Sequence, residues 1–171
     1  MTTTARGVIV TLTWAETLEA AMTGVMRTTR RARHGERHRY GFADPNELAW
    51  ANEINGALGE RAAAKALNLP FDGCVGSDAT SGDLRYGIQV RTTPREQGCL
   101  ILHPTDADGV PWVLVTGRAP ALEVVGWCFG RDGKRDEFWR TTSRPAYFVP
   151  ASALRPIQTL RQWVREISEA I

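Results

Sequence analysis

The sequence predicts a mixed α/β domain, and three observations carry the prediction. Two capping-box helix starts stand early in the chain, at Thr13-Trp14-Ala15-Glu16 and at Asp44-Pro45-Asn46-Glu47. Four short apolar pieces of strand character, separated by turn residues, fill the second half. From Ile157 the spacing returns to helical, with Leu160, Trp163, Val164, Ile167 and Ile171 on one face. At 171 residues the chain is most simply one domain, 1–171, long enough to bury a sizeable core. Its parts are a first helix and basic arm over 1–44, a core over 45–150 and a terminal helix over 151–171.

The elements follow in order. Gly7–Leu12 is β-branched and reads as an edge strand or an extended lead-in. Thr13 then opens a helix whose stripe of Leu18, Met22, Val25 and Met26 lasts to about Thr29. Arg27, Arg30, Arg31, Arg33, Arg37 and Arg39 follow with His34 and His38, opposed only by Glu36. Gly35 and Gly41 make this run loop or frayed helix, either a solvated surface segment or an arm that contacts phosphates.

A long helix is expected from Pro45 to about Leu67, with Trp50, Ile54, Ala57, Leu58 and Ala62 toward the core. Glu53, Gly56, Glu60, Ala63 and Ala64 form a second stripe of small residues around two carboxylates. Gly56 and Gly59 each cost up to about 1 kcal/mol relative to alanine, a cost that close approach of another backbone would offset. Glu60 then either sits among small groups near the sheet or is a solvated helix residue. Asn68–Ser81 is loop.

In Gly82-Asp83-Leu84-Arg85-Tyr86-Gly87-Ile88-Gln89-Val90-Arg91 an aspartate at a bend leads into a strand. Period two puts Ile88 and Val90 on one face, Gln89 and Arg91 on the other. Thr93–Gly98 is a turn. The four strand-like pieces are Cys99–His103, Trp112–Thr116, Leu122–Phe129 and Ala146–Val149. Thr105–Gly109 reads as a hairpin loop between the first two, and Gly130–Lys134 as an exposed connection.

Several functional classes drop out. A net charge of +2 argues nothing by itself, and the basic residues are nearly all arginine, with only Lys65 and Lys134 as lysine. Cys74, Cys99 and Cys128 are odd in number and far apart, against a disulfide framework or a cysteine metal site, and they suit a reducing cytoplasm. No apolar run approaches a membrane span, and the first residues lack the apolar core of a secretory signal. A cytoplasmic protein without membrane contact is the expectation. There is no GxSxG elbow, no phosphate-binding GxxxxGK[ST] loop and no HExxH. His34 and His38 read as phosphate-facing or exposed, and His103, at a strand end, as structural.

What remains for chemistry is Glu60, Asp83, Gln89 and Arg91. A helix carboxylate, an aspartate at a bend and a polar-x-basic strand, in this order, resemble the PD-(D/E)XK nuclease superfamily over about residues 55–125. Gly82-Asp83 stands in the "PD" place, Gln89-Val90-Arg91 in the "(D/E)XK" place, and Gly56-Ala57-Leu58-Gly59-Glu60 looks like the first core helix. The chain is also similar to a group of small uncharacterised phage proteins. The stretches concerned are 89–93, Val113-Leu114-Val115-Thr116-Gly117, Val124-Val125-Gly126-Trp127 and Pro145-Ala146-Tyr147-Phe148-Val149-Pro150.

The first resemblance implies a restriction-endonuclease-like core, a central mixed sheet flanked by helices. It also implies Mg²⁺ held by Asp83, Glu60 and Gln89, with Arg91 bracing the scissile phosphate. The arginines at 27, 30, 31, 33, 37 and 39 would then track a DNA backbone. Two signature positions depart: Gln89 offers a neutral amide oxygen where the family has a carboxylate, and Arg91 is too basic to activate water. The expected functions are therefore a Mg²⁺-dependent DNA endonuclease of phage origin or an inactive nuclease-like domain that binds nucleic acid or protein. A third reading is an accessory protein in which Gln89 and Arg91 simply face solvent. A homodimer is compatible with any of them.

Overall fold

The computed structural model describes residues 7–34, 47–75 and 82–170. The elements are β1 (Val8–Thr11), α1 (Trp14–His34), α2 (Glu47–Leu67), β2 (Gln89–Thr93), β3 (Leu100–Leu102), β4 (Pro111–Arg118), β5 (Ala121–Phe129), α3 (Gly130–Gly133), β6 (Trp139–Arg140), β7 (Ala146–Val149) and α4 (Ile157–Glu169). The class is mixed α/β, as read from the sequence.

Two sheets form. One has the order β1-β5-β4-β2, with β2 parallel to β4 and the other pairs antiparallel. The other has the order β3-β7-β6 and is antiparallel throughout. Alternation along β4 shows how they stack. Val113 and Val115 join a core with Leu58, Ala62 and Ala63 of α2 and with Ile157, Leu160 and Val164 of α4. Trp112 and Leu114 turn to the opposite face and pack on Leu100, Leu102 and Val149 of the small sheet. Helices α2 and α4 therefore cover one face of the central mixed sheet, and the second sheet, with the short α3 beside it, covers the other. This corrects the expectation of a sheet flanked by helices.

Local chemistry explains most boundaries. The first capping box forms as read: Glu16 Oε2 accepts the Thr13 amide at 2.7 Å, and Thr13 Oγ1 accepts the Glu16 amide at 3.2 Å. The second box falls largely on residues 44–46, outside the described residues. Helix α1 continues to His34 rather than stopping near Thr29, so the first part of the basic run is helix. It packs along α2 through Ala20, Thr23, Gly24 and Thr28. A Cβ on Gly24 would lie 2.5 Å from Ile54 Cα, so only glycine lets the two backbones come this close. At Gly59 a Cβ would meet Thr92 Oγ1 at 1.8 Å, which accounts for that glycine on α2. Gly56 has nothing within 4 Å of such a Cβ, and close approach does not explain it.

Two connections differ from expectation. Residues 103–109 do not join a hairpin, because β3 pairs with β7 and β4 with β2 and β5. The segment from Gly130 to Lys134 opens as a helical turn that buries Gly130 and Gly133 and leaves Arg131 exposed, rather than a wholly exposed link. The Gly130 and Arg131 amides donate to Val110 O and Asp108 O at 3.2 and 3.1 Å. No described helix is long and apolar enough to cross a membrane.

Candidate functional site

Glu60 lies on the side of α2 that meets α1 and is 6% exposed. Arg27 of α1 closes on it with both terminal nitrogens, Nη1 to Oε1 at 2.6 Å and Nη2 to Oε2 at 2.8 Å. The Nε of Arg27 donates to Cys74 O at 2.8 Å, which fixes the plane of the guanidinium. Burial pushes the Glu60 carboxyl up to about 7 against the pull of Arg27, and nearby Asp83 and Glu53 push the same way. Glu53, almost two turns earlier, pairs with Arg31. Arg30 donates to Val75 O at 2.9 Å. Of the six arginines read as a phosphate-tracking arm, Arg27, Arg30 and Arg31 are thus engaged with their own chain. Arg33 is exposed, and Arg37 and Arg39 lie outside the described residues.

Asp83 sits beside β2, in a loop folded back on that strand. The Asp83 and Leu84 amides both donate to Ile88 O at 3.0 Å, and Asp83 Oδ2 accepts the Val90 amide at 2.8 Å. The loop turns through Tyr86 at φ +63°, a left-handed backbone that is costly for a bulky residue. The phenol of Tyr86 and the hydroxyl of Ser168 on α4, 2.7 Å apart, hold it there. Burial raises the Asp83 pKa, while the Val90 amide, Arg91 and Arg27 oppose the shift.

Gln89 and Arg91 go the other way. Val90 packs into the helix-side core, so alternation directs its two neighbours to the face that the small sheet covers. Arg91 Nη2 donates to both carboxylate oxygens of Asp106 at 3.2 Å, and its guanidinium lies 4.6 Å over the Trp112 ring. Asp106 Oδ2 also accepts the His103 amide at 2.8 Å. Beside it Lys134 Nζ fills the concave side of the 103–109 loop. It bonds Pro104 O at 3.0 Å, Asp108 Oδ1 at 2.7 Å and Asp106 O.

The central sheet therefore lies between Glu60 and the Gln89–Arg91 pair, with Asp83 at its margin. Among the described residues no three Asp, Glu, His or Cys side chains converge as a metal ion requires. Both Glu60 oxygens serve Arg27 and one Asp83 oxygen serves a backbone amide, so a cation fits this donor set only after Arg27 has left.

No family model, curated protein or solved structure matches this chain. The site has to be judged on its own geometry. Two of its working parts escaped the sequence reading. The partner of Glu60 is 33 residues upstream, inside a run read as solvated surface or as a phosphate-contacting arm. The Arg91–Asp106–Lys134 group draws on a loop read only as a turn. The paired acids of Thr105-Asp106-Ala107-Asp108-Gly109 and one of the chain's two lysines were the signals at hand.

Proposed function

We propose that this chain works by binding a protein partner and not by hydrolysis, on a scaffold related to the PD-(D/E)XK nucleases whose metal position is closed by an internal ion pair. The observation that carries the reading is the two-nitrogen clamp of Arg27 on buried Glu60. A carboxylate gripped in this way is a poor ligand for Mg²⁺, because a metal that took it would leave the buried Arg27 guanidinium without its counter-ion and beside a dication. Arg91, engaged by Asp106 and stacked on Trp112, lacks freedom to brace a phosphate. Arg27, Arg30 and Arg31 turn inward while large apolar side chains of the same helix turn outward. That balance favours a protein surface over a nucleic-acid backbone.

One observation keeps the hydrolase as a second reading. Burial, with the nearby charge of Glu53, raises the proton affinity of both Glu60 and Asp83, and carboxyls perturbed in this way are common at functional sites. The test incubates the whole protein with Mg²⁺ or Mn²⁺ on duplex, single-stranded and branched DNA, alongside Asp83→Asn. We expect no cleavage above that control and no salt-sensitive DNA retention at low ionic strength. Metal-dependent cleavage lost in Asp83→Asn overturns the proposal and installs the endonuclease. Steeply salt-dependent binding without cleavage moves the partner to nucleic acid.

A further inference from the structure

A hollow between β5 and the start of α4 takes no part in the site described above. Trp127 and Phe129, two apart on β5, turn to the helix side of the sheet, and Thr159 and Trp163, four apart on α4, meet them there. Arg155 and Pro156, which lead into α4, complete the lining. A backbone bridge fixes them to the strand: the Arg155 amide donates to Trp127 O at 2.8 Å and the Trp127 amide to Arg155 O at 3.0 Å. The hollow holds about 420 Å³ and opens to solvent, a size in which small ligands bind.

The lining restricts what can enter. Trp127 Nε1 donates to Thr159 Oγ1 at 2.9 Å, and that hydroxyl donates on to Pro156 O at 2.7 Å. These polar groups are spent on each other, so the walls offer apolar surface from three rings. Phe129 stands edge-on to Trp127 and to Trp163, with centroids 5.1 and 6.2 Å apart. A flat apolar body suits such walls. A cation does not, because the protein's own guanidiniums already lie over the rings. Arg155 sits 5.1 Å from the Trp127 centroid and 5.6 Å from that of Phe129, and Arg131 lies 5.0 Å over Phe129. Arg155 gives one nitrogen to Asp132 Oδ2 at 2.7 Å, and its other N–H groups bond no other described residue. Two guanidiniums thus face one carboxylate and leave one positive charge over. A guanidinium stacked on a ring keeps its N–H edge for an acceptor in its plane. We propose that this hollow binds a small aromatic carboxylate, its ring against Trp127 and Trp163 and its anionic head on the open edge of Arg155.

One surplus charge matches a monoanion rather than a phosphate monoester. The inference goes beyond the binding reading and does not rest on it. An active endonuclease would keep this hollow and lose that reading.

Titration of the full chain with indole-3-acetate, read at the indole N–H resonances of Trp127 and Trp163, tests it. The shifts should saturate with a Kd on the order of 1 mM, the reach of so small a ligand. Indole-3-ethanol, which is neutral, should bind about tenfold more weakly, and the cation tryptamine should leave both resonances in place. Arg155→Gln should erase the preference for the acid over the alcohol while the ring still binds. Trp163→Ala, checked for folding by circular dichroism, should abolish the shift at Trp127; if it does not fold, Arg155→Gln carries the test alone. The tripeptide Gly-Gly-Trp and its C-terminal amide separate two sources of one chemistry. Tighter binding of the free-acid peptide than of indole-3-acetate assigns the ligand to the chain end of a partner protein, and weaker binding assigns it to a free aromatic acid. Shifts that fail to saturate by about 10 mM overturn the proposal. So do tryptamine binding as well as the acid, an acid preference that survives Arg155→Gln, and adenosine monophosphate binding more tightly than indole-3-acetate.

Discussion

Arg27 and Arg91 each hold a carboxylate by two hydrogen bonds, yet the two grips sit in different media. The Arg27–Glu60 pair uses two nitrogens for two oxygens, at 2.6 and 2.8 Å, with both side chains nearly dry. The Arg91–Asp106 pair shares one nitrogen between two oxygens at 3.2 Å, and water reaches its arginine side. The difference follows from desolvation. A charge taken far from water is tolerated only with close, complete pairing, whereas near the surface a looser contact suffices because solvent supplies the rest. The Asp106 group compensates with more partners, since the His103 amide joins Arg91 on its carboxylate and Lys134 holds its carbonyl. One cluster is a single strong clasp and the other a mesh of moderate ones.

Breaking each clasp separates them most clearly. Arg27→Ala strands a buried carboxylate and should cost about 3–5 kcal/mol in urea unfolding. The double change Arg27→Met with Glu60→Leu removes both charges and fills the space. It should restore stability or exceed the wild type by about 1–4 kcal/mol. If the double variant is as weak as Arg27→Ala, the pair is more than a neutralised core contact.

The pH response sharpens the contrast. Glu60 is raised from 4.5 to about 7 in the folded protein, so the folded state binds more protons than the unfolded chain between those values. Its contribution to stability is therefore greatest below the ordinary carboxylate range, declines as pH rises through that window and is level above it. Asp83, also raised, adds to the same trend. Urea midpoints at about pH 5 and about pH 8 should fall in the wild type, and less so in the double variant. Equal slopes in the two would show that Glu60 does not titrate in this window.

The smallest effect belongs to the outer cluster. Arg91→Ala should cost about 1–2 kcal/mol, the sum of a partly screened ion pair and its contact with Trp112. Molar salt should shrink that cost, while leaving the cost of Arg27→Ala nearly unchanged. Salt-independent loss at Arg91 would mean that ring stacking, not charge, is what the residue supplies.

The parts of the fold legible in the sequence are those set by neighbours in the chain. The Thr13 capping box, the two faces of β2 and the stripe of α4 all follow from spacing alone. The partners of β3 do not. An acidic, glycine-ended loop after a strand signals a turn but cannot say that the next strand belongs to another sheet. The basic run misled for a related reason. Arginines at 27 and 31 read as solvated or phosphate-facing because their acids, Glu60 and Glu53, are on a different helix. The outward ridge of α1 was visible as a stripe of large apolar residues. Its exposure was not, because periodicity shows that residues share a side and not what faces it. In the candidate site, the sequence named four residues worth examining, and the structure gives each a partner or a side that the pattern could not specify.

Asp83 has a consequence apart from any chemistry. Strand β2 is the last in its sheet, and its outward amides and carbonyls would make a template for a foreign strand. The Asp83 carboxylate occupies the Val90 amide, and the Asp83 and Leu84 amides occupy Ile88 O. The loop thus blunts the border of the sheet, and Tyr86, moored to Ser168, keeps it in place. Removal of this aspartate would open a sticky margin, and the chain would be expected to show it first as aggregation on storage or during refolding.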